Sequence, residues 1–316
     1  MKQGKNHPIG NGSFATVFKD IWGNMPDKIK TLSQHPDTMP VAIKKPSKHP
    51  MSKQMLIHEI AIHRRLSHSN IVAFLGVLDE PQSGNSGLVM ELILDGDLFD
   101  MLAANKGPVS SSLQLVIALG IARGLHYLHD LKILHRDLKC ENILIEKHGE
   151  TTIAKICDFG MAESVENYDI FNELCGSLEY MAPELLNEAP PYPYSTKSDI
   201  YAFSLIMWML TSQCNPNVVT SGHRETFSKD VRTDFKNLII DCWKQNPEHR
   251  PVTFEISNRL TEMQTLSPDS AKTVTETPLS TVRKKSGLTT FGIFAGVTIA
   301  FIAASNIANS YSSQNG

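Results

Sequence analysis

Two carboxylates and one amide in the middle of the chain have the types and the spacing that phosphoryl transfer requires. Asp137 and Asn142 lie in the segment His-Arg-Asp-Leu-Lys-Cys-Glu-Asn, and Asp158 follows 16 residues later in Asp-Phe-Gly. The first carboxylate can orient an attacking hydroxyl and accept its proton, whereas the second carboxylate and the amide are hard oxygen ligands for Mg²⁺. Either triplet alone is a common coincidence, but their order and spacing together predict a catalytic Asp137 and a metal site at Asn142 and Asp158.

Two segments near the N-terminus carry residues that can hold phosphate groups. Residues 9–17 have glycines at positions 10 and 12, where a strand turn could expose backbone N–H groups, although a plain β-hairpin also explains this pattern. Lys44 ends the apolar triplet Val-Ala-Ile, and by itself it could be a solvated strand residue. Glu59, 15 residues later in a predicted helix, offers Lys44 a buried partner that would hold its ammonium against the α- and β-phosphates of ATP.

The elements that must position these residues divide into a strand-rich first part and a helix-rich second part. The predicted strands are 5–22 (two strands around the glycine turn), 41–44, 71–78 and 88–94, the predicted helix is 51–66, and 23–40 is predicted to be an inserted loop. Mostly helical structure is predicted from 110 to 266, apart from loops near 135–145 and 158–182. This division predicts an α+β domain with two lobes.

The composition excludes several classes of function. Hydrophobic residues make up 41% of the 316 residues and charged residues 20%, which is ordinary for a globular protein. A net charge of −3 provides no basic field, so no nucleic-acid partner is expected. The five cysteines stand singly and the 12 histidines lack metal-ligand spacing, so reduced thiols in a cytosol-like compartment are expected. Because the N-terminus has no apolar run, no cleaved secretory signal is expected.

In this order and spacing, the motifs resemble those of the eukaryotic protein kinase family. Segments 121–129 and 242–251 resemble the tyrosine-kinase-like group of serine/threonine kinases within that family. The resemblance covers about residues 5–266. It implies a bilobal α+β fold, with a small β-rich N-lobe at about 5–93 that holds one main helix and a larger helical C-lobe at about 94–266. It also implies a buried ion pair between Glu184 and Arg250, and a role for Asp199 in supporting the catalytic loop. The usual third glycine of the glycine loop is Ala15 here.

The resemblance further implies a role for each site residue, with ATP and Mg²⁺ as cofactors and Mn²⁺ as an alternative metal. Its catalytic set is Lys44, Glu59, Asp137, Lys139 and Asn142, and its metal ligands are Asn142 and Asp158. Adenine would lie between the two lobes and bond to the segment after Met90, the residue that gates the back pocket. The implied ATP-binding residues are Ile9, Gly10, Asn11, Gly12, Ser13, Phe14, Ala15, Val17, Ala42, Lys44, Met90, Glu91, Ile93 and Leu144.

The substrate class rests on two positions. Lys139, two residues after Asp137, matches the serine/threonine pattern, and its ammonium would stabilise the charge of the transferring phosphoryl group. Ser177 stands where these kinases commonly carry Thr, and it keeps the hydroxyl. A kinase that phosphorylates Ser or Thr of protein substrates is therefore expected. A dual-specificity kinase and a membrane-tethered pseudokinase scaffold are the alternatives, and the complete catalytic set favours the active enzyme.

The segment from Asp158 to Glu184 contains hydroxyl residues that phosphorylation could modify. A phosphate on Ser164 or Tyr168 could pair with Arg136 and order this segment. The alternatives are a segment that needs no modification and one that is activated in trans by proximity.

The last part of the chain predicts a membrane tether. Residues 267–286 are rich in Ser, Thr and Pro and are predicted to be a flexible linker. Residues 288–308 are uncharged and only moderately apolar, and as a helix they would span about 31 Å, which suffices for a bilayer core. The competing interpretation is a C-terminal helix packed on the kinase lobes. Basic residues at 283–285 predict a single-pass C-terminal anchor with the kinase domain in the cytosol. Small residues at 292, 296, 300 and 304 share a helix face and predict a homodimer.

Overall fold

The computed structural model of the protein describes residues 8–11, 15–23, 38–80, 85–105, 107–167, 173–217 and 225–266. Its first part is a five-stranded antiparallel sheet with the strand order β1-β2-β3-β5-β4. The strands are β1 (Pro8–Asn11), β2 (Ala15–Gly23), β3 (Thr38–Pro46), β4 (Phe74–Glu80) and β5 (Asn85–Glu91). The apolar triplet before Lys44 lies in the central strand β3, where Ala42 packs on one face of the sheet and Val41 and Ile43 pack on the other.

The helix α1 (Ser52–His63) packs against β3 and β5. Its buried residues include Leu56, Glu59 and Ile62, whose spacing of three residues places them on one side of the helix. A carboxylate on this buried side requires a partner, because an unpaired charge in a protein interior is strongly unfavourable. The packing of α1 therefore directs Glu59 toward the charged end of β3.

The second part is helical and is built around the long helix α3. The helices are α2 (Leu98–Ala104), α3 (Ser111–Asp130), α4 (Pro183–Asn187), α5 (Thr196–Ser212), α6 (Thr233–Cys242) and α7 (Thr253–Thr265). The hydroxyl of Ser110 accepts a hydrogen bond from the Leu113 N–H and caps the N-terminus of α3. A Cβ atom at Gly124 would lie 2.8 Å from the carbonyl oxygen of Asn70, so α3 can approach this segment closely only because that residue is glycine.

Two small antiparallel sheets of two strands each lie between α3 and α4 in the sequence. Strand β6 (Ile133–Leu134) pairs with β9 (Glu163–Ser164), and β7 (Ile143–His148) pairs with β8 (Thr151–Ile156) in a hairpin. The prediction of helical structure outside the loops is wrong here, since the β-branched residues at 143, 145, 151, 152, 153 and 156 favour strands. The two small sheets hold the loops 135–142 and 157–162, which carry the predicted catalytic residues, next to each other.

The predicted C-terminal membrane anchor was wrong and is corrected. Within the ranges that the structure describes, no helix is long and apolar enough to cross a membrane. The predicted span 288–308 lies outside those residues, as do positions 292, 296, 300 and 304, through which the homodimer was expected. The prediction relied on the length of an uncharged run, although its threonine, serine and glycine residues contribute little apolar surface to burial in lipid. The described residues therefore form the bilobal α+β fold with no transmembrane helix among them, and the single-pass localisation is not retained.

Candidate active site

Lys44 of β3 lies between two carboxylates, and we call Lys44, Glu59 and Asp158 the Lys44 group. The Nζ atom of Lys44 donates to Oε1 of Glu59 on α1 at 2.9 Å and to Oδ1 of Asp158 at 2.8 Å. Burial alone would lower the pKa of Lys44, but the charges of Glu59 and Asp158 outweigh it and raise that pKa. The same ammonium holds the pKa of Asp158 below its ordinary value in spite of burial. Lys44 is therefore charged and fixed between the two carboxylates.

Asp137 lies at the centre of a second set of contacts, and we call Asp137, Lys139, Asn142 and Ser177 the Asp137 group. Its Oδ1 atom accepts hydrogen bonds from the Ser177 hydroxyl at 2.9 Å and from the Ser177 N–H at 3.0 Å. Its Oδ2 atom lies 3.0 Å from the ammonium of Lys139 and 3.2 Å from the amide nitrogen of Asn142. Lys139 also donates to the Ser177 hydroxyl at 2.9 Å. The two positions used to predict the substrate class thus contact the predicted catalytic carboxylate.

The loop that carries Asp137 is supported from below by Asp199, in the first turn of α5. The backbone N–H groups of His135 and Arg136 each donate to the Asp199 carboxylate at 3.0 Å, and the His129 ring lies 3.0 Å from it. Burial would raise the pKa of Asp199, but the bonds from His129 and the backbone lower it below the ordinary value. Arg136 has a φ of 64°, a conformation that non-glycine residues rarely adopt. The predicted support of the catalytic loop by Asp199 is confirmed.

The second loop turns sharply at Asp158, which has a φ of 62°. The next residue, Phe159, is fully buried, and its ring lies 4.9 Å from the ring of His63 on α1 and 5.5 Å from the ring of His135. The carbonyl oxygen of Cys157 accepts a hydrogen bond from the His135 ring at 3.0 Å. Burial of Phe159 therefore fixes the loop between α1 and the catalytic loop, while the Asp158 side chain remains 46% exposed toward the cleft.

The residues predicted to hold Mg²⁺ have donor atoms that fit this ion. The N–H of Cys157 donates to the carbonyl oxygen of Asn142 at 2.9 Å, which brings Asn142 next to the loop of Asp158. Since the amide nitrogen of Asn142 donates to Asp137, its amide oxygen is the atom that can act as a ligand. In the described part of the chain, no group of three or more His, Cys, Asp or Glu residues could hold a metal ion. A donor set of one carboxylate and one amide suits Mg²⁺, which usually completes its coordination with water and phosphate oxygens.

Four of the residues predicted to contact adenine come together in one apolar cluster. Ala42 and Met90 are buried in it, and Val17 and Leu144 pack against it from β2 and β7. Ile9 in β1 is 50% exposed, and Gly10, Asn11 and Ala15 belong to the strands on either side of the glycine turn. The turn residues Gly12, Ser13 and Phe14 lie outside the described residues. The structure thus brings one face of the sheet and the β7–β8 hairpin together around this apolar cluster, which we call the apolar slot because adenine is expected there.

The segment that leaves the sheet after β5 borders this slot, and we call residues 91–93 the hinge segment. Glu91 ends β5, and Ile93 is half-buried beyond it, outside regular structure. The N–H of Glu91 donates to the carbonyl oxygen of Ala73 at 3.1 Å, and the N–H of Ala73 donates back to Glu91 Oε1 at 2.7 Å. Both the side chain and the backbone N–H of Glu91 are therefore engaged within the protein.

Two further expectations can be compared with the structure. Arg250 donates from Nη1 and Nη2 to the two carboxylate oxygens of Glu184, both at 2.7 Å, so the predicted buried ion pair is confirmed. The residues Asp-Gly-Asp-Leu at 95–98 leave two interpretations of Asp97 open, a contact with the ribose of ATP or a helix cap. In the structure the Asp97 carboxylate accepts from the Asp100 N–H at 2.8 Å and caps α2. This bond confirms that Asp97 caps the helix.

The structure describes one of the two residues predicted to be modified, Ser164, together with Arg136. Ser164 lies in β9, whereas the Nε atom of Arg136 donates to the carbonyl oxygen of Met161 at 2.6 Å, and the Arg136 guanidinium lies 5.3 Å from the ring centre of Tyr194. Tyr168, the other predicted site of modification, lies outside the described residues. The pairing of Arg136 with a phosphorylated residue stays a prediction.

Sequence reasoning missed two residues that hold the site together. The Tyr194 hydroxyl accepts from the Cys175 N–H at 2.7 Å and donates to the Cys175 carbonyl oxygen at 2.9 Å, two residues before Ser177. Lys155 of β8 binds Glu91 in the hinge segment at 2.7 Å. Neither residue belongs to a motif with fixed spacing, so only the fold brings each of them to its partner.

Comparison with known proteins identifies the family. The family model described as protein tyrosine and serine/threonine kinase matches residues 4–260. The chain belongs to this family. The predicted kinase family is thereby confirmed, and the relatives described next agree with the predicted likeness to serine/threonine kinases of the tyrosine-kinase-like group.

Three relatives from Arabidopsis thaliana carry serine/threonine-protein kinase in their names. STY17 is 30% identical over 278 residues, which cover 83% of this chain and 45% of STY17. VIK is 30% identical over 280 residues, covering 82% of this chain and 60% of VIK. CTR1 is 30% identical over 259 residues, covering 77% of this chain and 29% of CTR1. The chain therefore spans less than two thirds of the length of these relatives.

Proposed function

We propose that this chain is a serine/threonine protein kinase, which transfers the γ-phosphoryl group of ATP to hydroxyl groups of protein substrates. The observation that carries the proposal is the Asp137 group, in which Lys139 and Ser177 both contact the Asp137 carboxylate at 2.9 to 3.0 Å. Kinases of this family generally use ATP and Mg²⁺. The names of the relatives support the substrate class, because all three are serine/threonine-protein kinases.

In this proposal Asp137 orients the substrate hydroxyl and accepts its proton. Its two oxygens already accept four contacts, two from Ser177 and one each from Lys139 and Asn142. The contact with Asn142 is the longest, at 3.2 Å, so we expect the substrate hydroxyl to take its place. Lys139 then lies where its charge can stabilise the phosphoryl group during transfer.

The Lys44 group holds the nucleotide phosphates. Lys44 binds the α- and β-phosphates, and Glu59 keeps its ammonium directed into the cleft. Asn142 and Asp158 hold Mg²⁺, for which Mn²⁺ can substitute. When bound, the metal ion neutralises charge on the phosphate oxygens. The proposal thus assigns binding of the phosphates to the Lys44 group and activation of the hydroxyl to the Asp137 group.

Adenine is assigned to the apolar slot of Val17, Ala42, Met90 and Leu144. Backbone groups at Glu91 and Ile93 bond to its edge, and the turn between β1 and β2 covers the phosphates. The nucleotide residues assigned from β1, the turn and β2 are Ile9, Gly10, Asn11, Gly12, Ser13, Phe14 and Ala15. We assign the kinase domain to about residues 5–266, with the N-lobe at about 5–93 and the C-lobe at about 94–266.

The test is a phosphoryl-transfer assay of the full chain with radiolabelled ATP, Mg²⁺ and generic protein substrates, followed by phosphoamino-acid analysis. We expect label on phosphoserine and phosphothreonine. Asp137→Asn should abolish most of this signal, whereas Asp130→Asn, at an exposed residue of α3, should leave it unchanged. Phosphotyrosine alone would overturn the substrate class, and label on all three residues would indicate a dual-specificity kinase. Normal nucleotide binding without any transfer would instead favour a pseudokinase scaffold.

A further inference from the structure

Lys155 connects the β7–β8 hairpin to the hinge segment. Its Nζ atom lies 2.7 Å from Oε2 of Glu91 and 3.0 Å from Oε2 of Glu146 in β7. The side chain of Lys155 is only 11% exposed, and each of the two glutamates is 22% exposed. Burial would lower the pKa of Lys155, but its bonds to Glu91 and Glu146 raise it, so the ammonium stays charged. An ion pair shielded in this way is stronger than one at the open surface.

The two ends of this connection border the adenine slot from different directions. Lys155 is the direct cross-strand partner of Leu144, which packs against the slot from the hairpin. Directly paired residues of antiparallel strands project from the same face of the sheet, so Lys155 stands beside Leu144. At the other end, Glu91 begins the hinge segment, whose backbone the proposed function assigns to the adenine edge.

The remaining contacts of Glu91 and of the hairpin complete a closed ring of hydrogen bonds that connects β8, the segment 72–73 and Glu91 beside the slot. Glu91 Oε1 accepts from the Ala73 N–H at 2.7 Å. The segment before Ala73 is bonded to β8, since the Val72 N–H donates to the Ile156 carbonyl oxygen at 3.0 Å. A chain of hydrogen bonds thus runs from β8 through this segment to Glu91, and Lys155 closes it back to β8. Loss of Lys155 would open the ring and leave two partly buried carboxylates without their shared cation.

We propose that Lys155 is a positioning residue for the nucleotide: by binding Glu91 while standing beside Leu144, it sets the distance between the hinge segment and the hairpin, and hence the affinity for adenine. This inference rests on the proposed function, since it assumes that ATP binds in the slot. Lys155 touches neither the phosphates nor the Asp137 group, so it acts on nucleotide binding and not on transfer.

The experiment compares Lys155→Met, Lys155→Arg and Lys147→Met in the full chain. Methionine keeps much of the length of the side chain and removes its charge, arginine keeps the charge, and Lys147 is an exposed lysine of the same hairpin. The measurements are kcat and KM for ATP, together with calorimetric affinities for adenosine and for a non-hydrolysable ATP analogue. We expect Lys155→Met to raise KM for ATP about tenfold with kcat within about twofold of the wild type. Lys155→Arg should restore most of the affinity, and Lys147→Met should match the wild type.

The adenosine measurement separates positioning of adenine from a general loss of structure or of phosphate binding. Lys155→Met should weaken adenosine and the ATP analogue by the same factor, whereas Lys44→Met should weaken only the analogue. If Lys155→Met does not fold, Glu91→Gln provides the second test: it removes the charge that Lys155 binds and keeps an oxygen that can accept from the Ala73 N–H, with an expected loss of about two- to threefold for both ligands. Wild-type adenosine affinity in a folded Lys155→Met or Glu91→Gln protein would overturn the inference and leave the proposed function intact. A wild-type chain that binds no nucleotide at all would overturn both.

Discussion

The Asp137 group and the Lys44 group are held in place by different kinds of interaction. The loop of Asp137 is fixed by backbone N–H groups that donate to the buried carboxylate of Asp199. The Lys44 group is fixed by ion pairs between side chains that come from β3, α1 and the loop after β8. The backbone hydrogen bonds to Asp199 hold the loop of Asp137 within a single lobe. The ion pair between Lys44 and Glu59, in contrast, can form only while α1 packs against the sheet. We infer that the Asp137 group is rigid and that the Lys44 group depends on the position of α1.

The largest expected effect comes from Asp137→Asn, which removes the proposed proton acceptor. Because the asparagine amide cannot accept the proton, we expect kcat to fall by about 10²- to 10⁴-fold. The affinity for ATP, measured by calorimetry, should stay within about twofold of the wild type, since the Lys44 group is untouched. A variant that keeps more than a tenth of the wild-type kcat would contradict the role given to Asp137.

Asp199→Asn tests the support of the same loop. An asparagine oxygen can accept from one of the two backbone N–H groups, but its NH₂ group then faces the other and leaves a buried donor unsatisfied. We expect the free energy of unfolding, measured with denaturant, to fall by about 2–3 kcal/mol, together with a lower kcat. Asp241→Asn is the matched control, because that carboxylate forms partly exposed ion pairs and should cost less than about 1 kcal/mol. Equal losses in the two variants would show that the loop does not depend on Asp199.

Glu59→Gln tests the Lys44 group. The amide keeps a hydrogen-bond acceptor for Lys44 but removes the charge that holds the ammonium toward α1. We expect KM for ATP to rise about tenfold, with kcat changed less and the free energy of unfolding within about 1 kcal/mol of the wild type. Glu150→Gln, at the exposed turn between β7 and β8, should leave KM for ATP, kcat and the free energy of unfolding unchanged. An unchanged KM for ATP would mean that Asp158 alone is sufficient to place Lys44.

Features that depend on local sequence could be predicted, whereas contacts between distant segments could not. Lys44 and Glu59 were paired correctly because a strand and a helix of known period fix where each side chain points. The helix was predicted at 51–66 and is observed at Ser52–His63, and the strand predicted at 88–94 ends at Glu91. Apolar residues continue beyond the ends of both elements. An apolar pattern therefore predicts that an element exists more reliably than it predicts where the element ends.

Contacts that depend on tertiary packing could not be predicted. Residues 71–73 have the composition of a strand, but they lie outside the sheet and run beside Ile156 of the β7–β8 hairpin instead. The Val72 N–H donates to the Ile156 carbonyl oxygen, and the Ile156 N–H donates to the Asn70 carbonyl oxygen. Lys155 and Glu91 are 64 residues apart, and Tyr194 lies in a proline-rich segment without periodic structure. In each case the partner is determined by tertiary packing between segments that are distant in the sequence, and the local sequence does not indicate it.

The smallest expected effect concerns His63, which ends α1 and contacts Phe159. Its Nε2 atom lies 2.6 Å from the Val72 carbonyl oxygen, so this nitrogen carries the proton, and its Nδ1 atom is buried without a hydrogen-bond partner in the described part of the chain. Burial lowers the pKa of His63 to about 4, and the nearby charge of Lys44 acts in the same direction. Between pH 6.5 and pH 4 the unfolded chain therefore binds a proton that the folded protein does not, so stability falls as the pH falls.

His63 should accordingly make folding more sensitive to acid than it would be with a neutral side chain. From pH 7 to pH 5.5 this one residue should remove about 1 kcal/mol from the free energy of unfolding. Because carboxylates also titrate in acid, the measurement is the difference in pH dependence between the wild type and His63→Leu, followed by denaturant unfolding. His249→Leu, at an exposed histidine, should retain the wild-type pH dependence. Since His63 contacts Phe159, the neighbour of Asp158, KM for ATP should also rise more in acid for the wild type than for His63→Leu. Parallel pH profiles for the wild type and His63→Leu would show that α1 is held in place independently of the charge on His63.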